Sequence, residues 1–154
     1  MNIVITGASK GIGYAIAEIF AAHGHHLVLT SKTPAALETA VAVLSKQYPA
    51  VQIESMPADL SIQKEVTAFA NWCLEKTEPT ILINNAGMAS LNHSLLTPGS
   101  TVKKVFETNF YGSFFFSREC AKLMMKNKKG KIVNFSTVAV PLNLDGEMVY
   151  ASSK

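Results

Sequence analysis

Cysteine is scarce: the chain has two, Cys73 and Cys120, and neither stands at a metal-ligand spacing or in a disulfide framework. Both fall in helix-like stretches and read as small buried hydrophobes, so no metal is expected. Charge is also sparse at 16%, against 48% hydrophobic residues, which excludes a disordered or fibrous chain. No apolar run approaches the roughly 20 residues needed to span a bilayer. Strand-like sequence begins almost at Met1, leaving no room for a signal peptide. The expectation is a cytoplasmic protein with no membrane partner. Nor does either sign of charge dominate, with 14 Lys and Arg against 11 Asp and Glu. The densest basic run, Lys126 to Lys131, closes a helix before Gly130 and complements the helix dipole, so no nucleic-acid partner is expected.

What is present is alternation. Ile3-Val4-Ile5, Leu27-Val28-Leu29, Ile81-Leu82-Ile83 and Ile132-Val133 are short, nearly continuous apolar runs, as in parallel strands covered on both faces. Val51 to Glu54 alternates and suits an edge strand. Between them lie stripes at helical spacing: Ile12, Ile16, Ile19 and Phe20; Leu37, Val41, Leu44 and Tyr48; Ile62, Val66, Phe69 and Cys73. Thr33 before Pro34, and Ser61, offer N-caps for the second and third helices. The order β-α-β-α-β-α-β-α-β predicts an α/β fold with a doubly wound parallel sheet, in a single domain over residues 1–154. Gly87 to Val102 reads as the one extended loop.

The first strand leads into Thr6-Gly7-Ala8-Ser9-Lys10-Gly11-Ile12-Gly13 and then a helix. Glycines there allow a tight turn, close approach of phosphate oxygens and close packing of helix on sheet. The helix N-terminus supplies free N–H groups for a pyrophosphate. A ligand-free glycine turn remains the competing reading. Further along, Asn84-Asn85-Ala86-Gly87 follows the fourth strand, Asn109 lies in the next helix, and Tyr150-x-x-x-Lys154 closes the set.

With these four motifs in register, the chain resembles the short-chain dehydrogenase/reductase family. The resemblance implies a Rossmann-like sheet with strand order 3-2-1-4-5. It also implies a nicotinamide cofactor held by Gly7, Ser9, Lys10, Gly11, Ile12, Gly13, Asp59, Leu60, Asn85, Ala86 and Gly87, with Tyr150 and Lys154 at its reactive end. Asp59 reads equally as a helix-capping acid. After the second strand, Ser31 stands where an NAD site places an acid, and Lys32 is beside it. With Lys10, two ammonium groups favour NADP(H) over NAD(H) by attracting the 2′-phosphate, unless both lysines merely cover the surface.

Tyr and Lys four apart share a helix face, so the cation lowers the phenol's affinity for its proton and makes it a usable acid near neutral pH. The expected reaction is hydride transfer between NADP(H) and a small carbonyl or alcohol substrate. Tyr150 is then the acid and Lys154 its activator. Asn109 interrupts an apolar stripe and must be hydrogen-bonded; the resemblance makes it the holder of a relay water, while a core amide bonded to nearby backbone is the alternative. The usual spacing to tyrosine puts the substrate-oxygen hydroxyl at Thr137, with Ser136 as alternate.

Family members continue past the Tyr-Lys motif, so the chain reads as an N-terminal portion lacking the C-terminal part of the fold. That reading leaves the fifth strand as an exposed apolar edge and the last helix barely one turn long. It also leaves incomplete the surface through which a full-length form would make a homo-oligomer. A non-catalytic dinucleotide-binding fragment or sensor is the other functional reading.

Overall fold

The computed structural model describes residues 1–154. The five strands are β1 (Asn2–Thr6), β2 (His26–Thr30), β3 (Ile53–Ser55), β4 (Ile81–Asn84) and β5 (Lys131–Asn134). All neighbours pair in parallel, in the order β3-β2-β1-β4-β5. Helices α1 (Gly11–Ala22), α2 (Pro34–Gln47) and α3 (Gln63–Lys76) connect the first four strands. A long helical rod follows β4: α4 (Gly99–Phe106), a π-helical segment (Glu107–Gly112) and α5 (Ser113–Lys126). After β5 come two short helices, α6 (Ala139–Leu142) and α7 (Met148–Ser152).

Strand side chains alternate between two core layers. Ile3, Ile5, Leu27, Leu29 and Ile83 meet Ala17 and Ala21 of α1 and Leu37 and Leu44 of α2. Val4, Val28 and Leu82 meet Phe69 and Cys73 of α3 and Phe116, Cys120 and Met124 of α5. Because β1 is covered on both faces, Ile3, Val4 and Ile5 are fully buried. No helix is long and apolar enough to cross a membrane.

Four local expectations need correction. The fully buried face of α1 is Gly13, Ala17 and Ala21, with Ile16 and Phe20 of the apolar stripe packed partly buried beside it, whereas Ile12 and Ile19 are 61% and 58% exposed. Small residues let the helix axis approach the sheet, and a larger side chain would hold it away. Ser61 does not cap α3; its N–H and hydroxyl both donate to the Asp59 carboxylate, and Ile62 holds the cap position. Thr33 does sit at the α2 cap, before Pro34, without a side-chain hydrogen bond. The extended loop ends at Gly99, where α4 begins, and is interrupted by a 3₁₀ turn at Ser94–Leu96. Finally, β5 is not covered on both faces: it is exposed along its length, with Ile132 and Val133 in view.

The two cysteines lie in the same core layer, on α3 and α5, both buried and free. Burial, with a smaller push from Glu54, raises the Cys73 thiol to about 12; burial raises Cys120 further still, with Cys73 and Glu119 adding to it. Neither forms a thiolate at neutral pH. A native sample is expected to leave a colourimetric thiol reagent unreacted over minutes, whereas in denaturant both thiols titrate. Fast labelling of the native chain would show that the α3–α5 layer opens.

Candidate active site

The site is built where β1, β2 and β4 end. Gly7 turns off β1 with φ of +66°, and a Cβ there would lie 2.9 Å from the Ala86 Cα. Gly13 is tighter, since its Cβ would come within 2.4 Å of the Gly7 carbonyl oxygen and 2.5 Å of the Asn85 amide nitrogen. Hydrogen bonds hold Asn85 that close: its Nδ2 donates to the Thr6 and Gly7 carbonyls at 3.1 and 3.2 Å. Thr6 Oγ1 accepts from the Asn85 and Ala86 N–H groups at 3.1 and 3.0 Å. The glycine turn and the Asn84-to-Gly87 segment are thus one hydrogen-bonded unit. The first turn of α1 contains no acidic side chain, and no side chain caps it, so its N–H groups remain available to an anion.

In front of this unit lies a cleft of about 570 Å³. Gly7, Ser9, Lys10, Gly11, Ser31, Lys32, Asp59, Leu60, Asn85, Ala86 and Gly87 all line it, so the structure brings these residues together around one cleft. Gly13 lies beneath the turn, and the Ile12 side chain points to solvent. Thr30, Thr33, Ala58, Lys104 and Thr108 also line it without having been singled out for the cofactor, as does Met88. Lys104 and Thr108 are four apart on the helical rod, a spacing that only the position of that rod makes meaningful. Lys32 is also committed locally, because its ammonium pairs with the Asp59 carboxylate at 2.5 Å. Burial alone would raise the Asp59 carboxyl, but hydrogen bonds from Lys32 and Ser61 outweigh it and hold the group below the usual carboxylate range.

At the other end, Tyr150 lies in α7, and Lys154 follows that helix through Ser153, whose backbone is still right-handed helical; the Lys154 N–H donates to the Ala151 carbonyl. Its side chain reaches back to Gly87, where a Cβ would meet Nζ at 2.8 Å. Burial lowers the Lys154 ammonium from the ordinary lysine value. Beside it is Asn109, buried at the centre of the π-helical segment. Its Oδ1 accepts from the Met88 N–H at 2.8 Å, and its Nδ2 donates to the Met88 carbonyl at 2.9 Å and to Ser153 Oγ at 2.8 Å. Lys154 and Asn109 share a hollow of about 290 Å³ with Asn84, Ser117, Asn134 and Ser153. There Asn84 Nδ2 donates to Ser117 Oγ and Asn134 Oδ1, at 2.7 and 2.8 Å, tying β4 to α5 and β5.

Of the two hydroxyl candidates, Thr137 is partly buried, and its Oγ1 accepts from the Ala139 N–H at 3.2 Å at the start of α6. Ser136 is exposed. The signal missed in the sequence was Ser153, a serine inside the Tyr-x-x-x-Lys motif that joins both of its neighbours to Asn109.

A parallel sheet in this order, with a glycine turn and an open helix N-terminus at its switch point, defines a dinucleotide-binding oxidoreductase fold. The family model for short chain dehydrogenases matches residues 1–154, and the chain belongs to that family. It is 33% identical to Dehydrogenase/reductase SDR family member 7B of Xenopus tropicalis, over 99% of this chain and 51% of that protein. It is 31% identical to the NAD-dependent glycerol dehydrogenase of Listeria innocua, over 98% of this chain and 58% of that one. Among solved structures, the short-chain dehydrogenase from Sphingobium yanoikuyae in complex with NADPH superposes with a TM-score of 0.93 at 30% identity. That match covers 99% of this chain and 60% of that one. The chain spans about half the length of the first curated relative it matches.

Proposed function

We propose that this chain forms the cofactor-binding and proton-transfer portion of an NADP(H)-dependent reductase interconverting a carbonyl and an alcohol. The observation that carries the reading is the single unit in which the glycine turn is bonded to Asn85 and Ala86 while the Lys154 ammonium lies against the next residue, Gly87. Residues present fit the cofactor: uncapped N–H groups of α1 suit a pyrophosphate, and Lys10, Ser31 and Lys32 suit a 2′-phosphate. When bound, the reduced nicotinamide supplies a hydride to the carbonyl carbon. The Tyr150 phenol donates its proton to the carbonyl oxygen as that oxygen gains charge. Lys154, a half-buried cation, favours the phenolate that remains. The Thr137 hydroxyl, already accepting from Ala139, keeps its own proton free to donate to the substrate oxygen. Asn109 acts by holding Met88 and Ser153 in place.

In this proposal residues 1–154 form one domain of a cytoplasmic protein whose full-length form is a homo-oligomer. Fluorescence titration with NADPH, followed by a panel of aldehydes and ketones, tests the activity. Tight binding with no oxidation of NADPH by any carbonyl, in the protein as expressed from its gene, would favour a nucleotide-binding module instead.

Cofactor preference has its own test. A charge contact to phosphate at this exposed position is worth roughly 1 kcal/mol, so Lys32→Ala is expected to weaken NADPH binding about fivefold. NADH binding should change little. Equal losses for both cofactors would mean that Lys32 serves only its pair with Asp59.

A further inference from the structure

Three features outside the cofactor cleft stand apart: the exposed edge of β5, the aromatic row Phe110, Tyr111, Phe114 and Phe115 on the rod, and the buried hydroxyl of Ser153. Nothing in the structure indicates what would cover the first two. Ser153 is different, because each of its contacts has a defined partner. It is 3% exposed. Its hydroxyl donates to the Tyr150 carbonyl at 2.7 Å and accepts from Asn109 Nδ2 at 2.8 Å. The remaining hydrogen-bonding capacity of the Asn109 amide goes to both backbone groups of Met88, one residue beyond Gly87.

A serine immediately before the reactive lysine thus carries a continuous chain of bonds from the backbone of Tyr150, through Asn109, to the segment that faces the cofactor cleft. We infer that Ser153 is a positioning residue, whose hydroxyl locks the turn after α7 onto Asn109 and thereby holds the Lys154 ammonium against Gly87. The backbone bonds here, Ser153 N–H to the Tyr150 carbonyl and Lys154 N–H to the Ala151 carbonyl, tie the turn only to residues of α7, whereas the Ser153 hydroxyl ties it to the rod. A lysine with four rotatable bonds would otherwise turn its ammonium to bulk water, where it is best solvated. The groups that share its hollow are Asn84, Asn109, Ser113, Ser117 and Asn134 with three phenylalanines, none of them charged. No carboxylate among them attracts the ammonium inward, so the restraint must come from the turn.

This inference rests on the reading of Lys154 as the activator of Tyr150, but its test does not depend on turnover. With ¹³C-labelled lysine in the full chain, the Lys154 resonance is assigned by its loss in Lys154→Met and followed from neutral to alkaline pH. The expected midpoint lies below that of the surface lysines. In Ser153→Ala it should move up towards theirs as the ammonium reaches solvent. Ser153→Cys, which keeps the buried shape and weakens both hydrogen bonds, should fall between and serves if the alanine variant does not fold. A folded variant of either kind whose Lys154 titrates as in the parent would overturn the inference, as would an ordinary midpoint in the parent itself. If the parent reduces a carbonyl, Ser153→Ala should lower kcat on the order of tenfold with little change in the KM for cofactor. Absence of turnover in the parent would instead count against the proposed reaction and leave the resonance to judge Ser153.

Discussion

Tyr150→Phe is expected to lower carbonyl reduction by about a thousandfold while leaving NADPH binding within about twofold, since positioned proton transfer contributes roughly 10²–10⁴ in rate. The substitution removes one hydroxyl and keeps the ring. Tyr150 is partly buried in α7, and its bond to Ser153 is made by the backbone carbonyl rather than by the phenol, so the loss should be confined to chemistry. Single-turnover mixing of NADPH-loaded protein with a reactive aldehyde separates the two quantities. A phenylalanine variant that keeps a tenth of the parent rate would mean that the proton comes from elsewhere, and the Thr137 hydroxyl would be the next group to test.

Gly13→Ala should have the second largest effect, on folding and cofactor binding together. A methyl at this position meets the Gly7 carbonyl oxygen at 2.4 Å and the Asn85 amide at 2.5 Å, both parts of the unit that joins the turn to β4. Neither is the free end of a flexible side chain, so α1 must move away from the sheet. Overpacking of this kind costs on the order of 3 kcal/mol, which corresponds to a fall in Tm of roughly 6–12 °C for a domain of this size. Because the Gly7 carbonyl and the first turn of α1 move with the helix, NADPH affinity should fall as well. Thermal melts with and without NADPH measure both; a variant that melts like the parent would show that the turn relaxes without strain.

The sheet was legible because a parallel strand covered on both faces needs apolar side chains at every position, and a run such as Ile3-Val4-Ile5 meets that need. Helix α2 was legible for a similar reason: its buried residues include Leu37 and Leu44, large enough to mark the face. Helix α1 misled in part, because its fully buried face is glycine and alanine with Ile16 and Phe20 only at its margin, whereas Ile12 and Ile19 face outward. Apolar bulk marks a buried face only where there is room for it. At the site, the residues that line the cleft could be found by motif, but pairings across distant segments could not. Lys32 and Asp59 were each assigned to the cofactor, yet their 2.5 Å contact depends on β2 ending beside the segment after β3. Asn109 was marked by polarity within an apolar stripe; its partner is the backbone of Met88, which has no side-chain signature.

The π-helical segment at Glu107–Gly112 makes chain length itself a carrier of information. An α-helix turns about 100° per residue, and the wide turn here absorbs one residue more than an α-helical path would. Val105 before it and Phe116 after it are both fully buried. Deleting one residue between them would restore ordinary helical bonding and leave the two halves of the rod facing the core as they do now, but it would remove the wide turn that carries Asn109 to Met88. A sequence one residue shorter here would keep the rod and would have to bring a side chain to Met88 and Ser153 by another route.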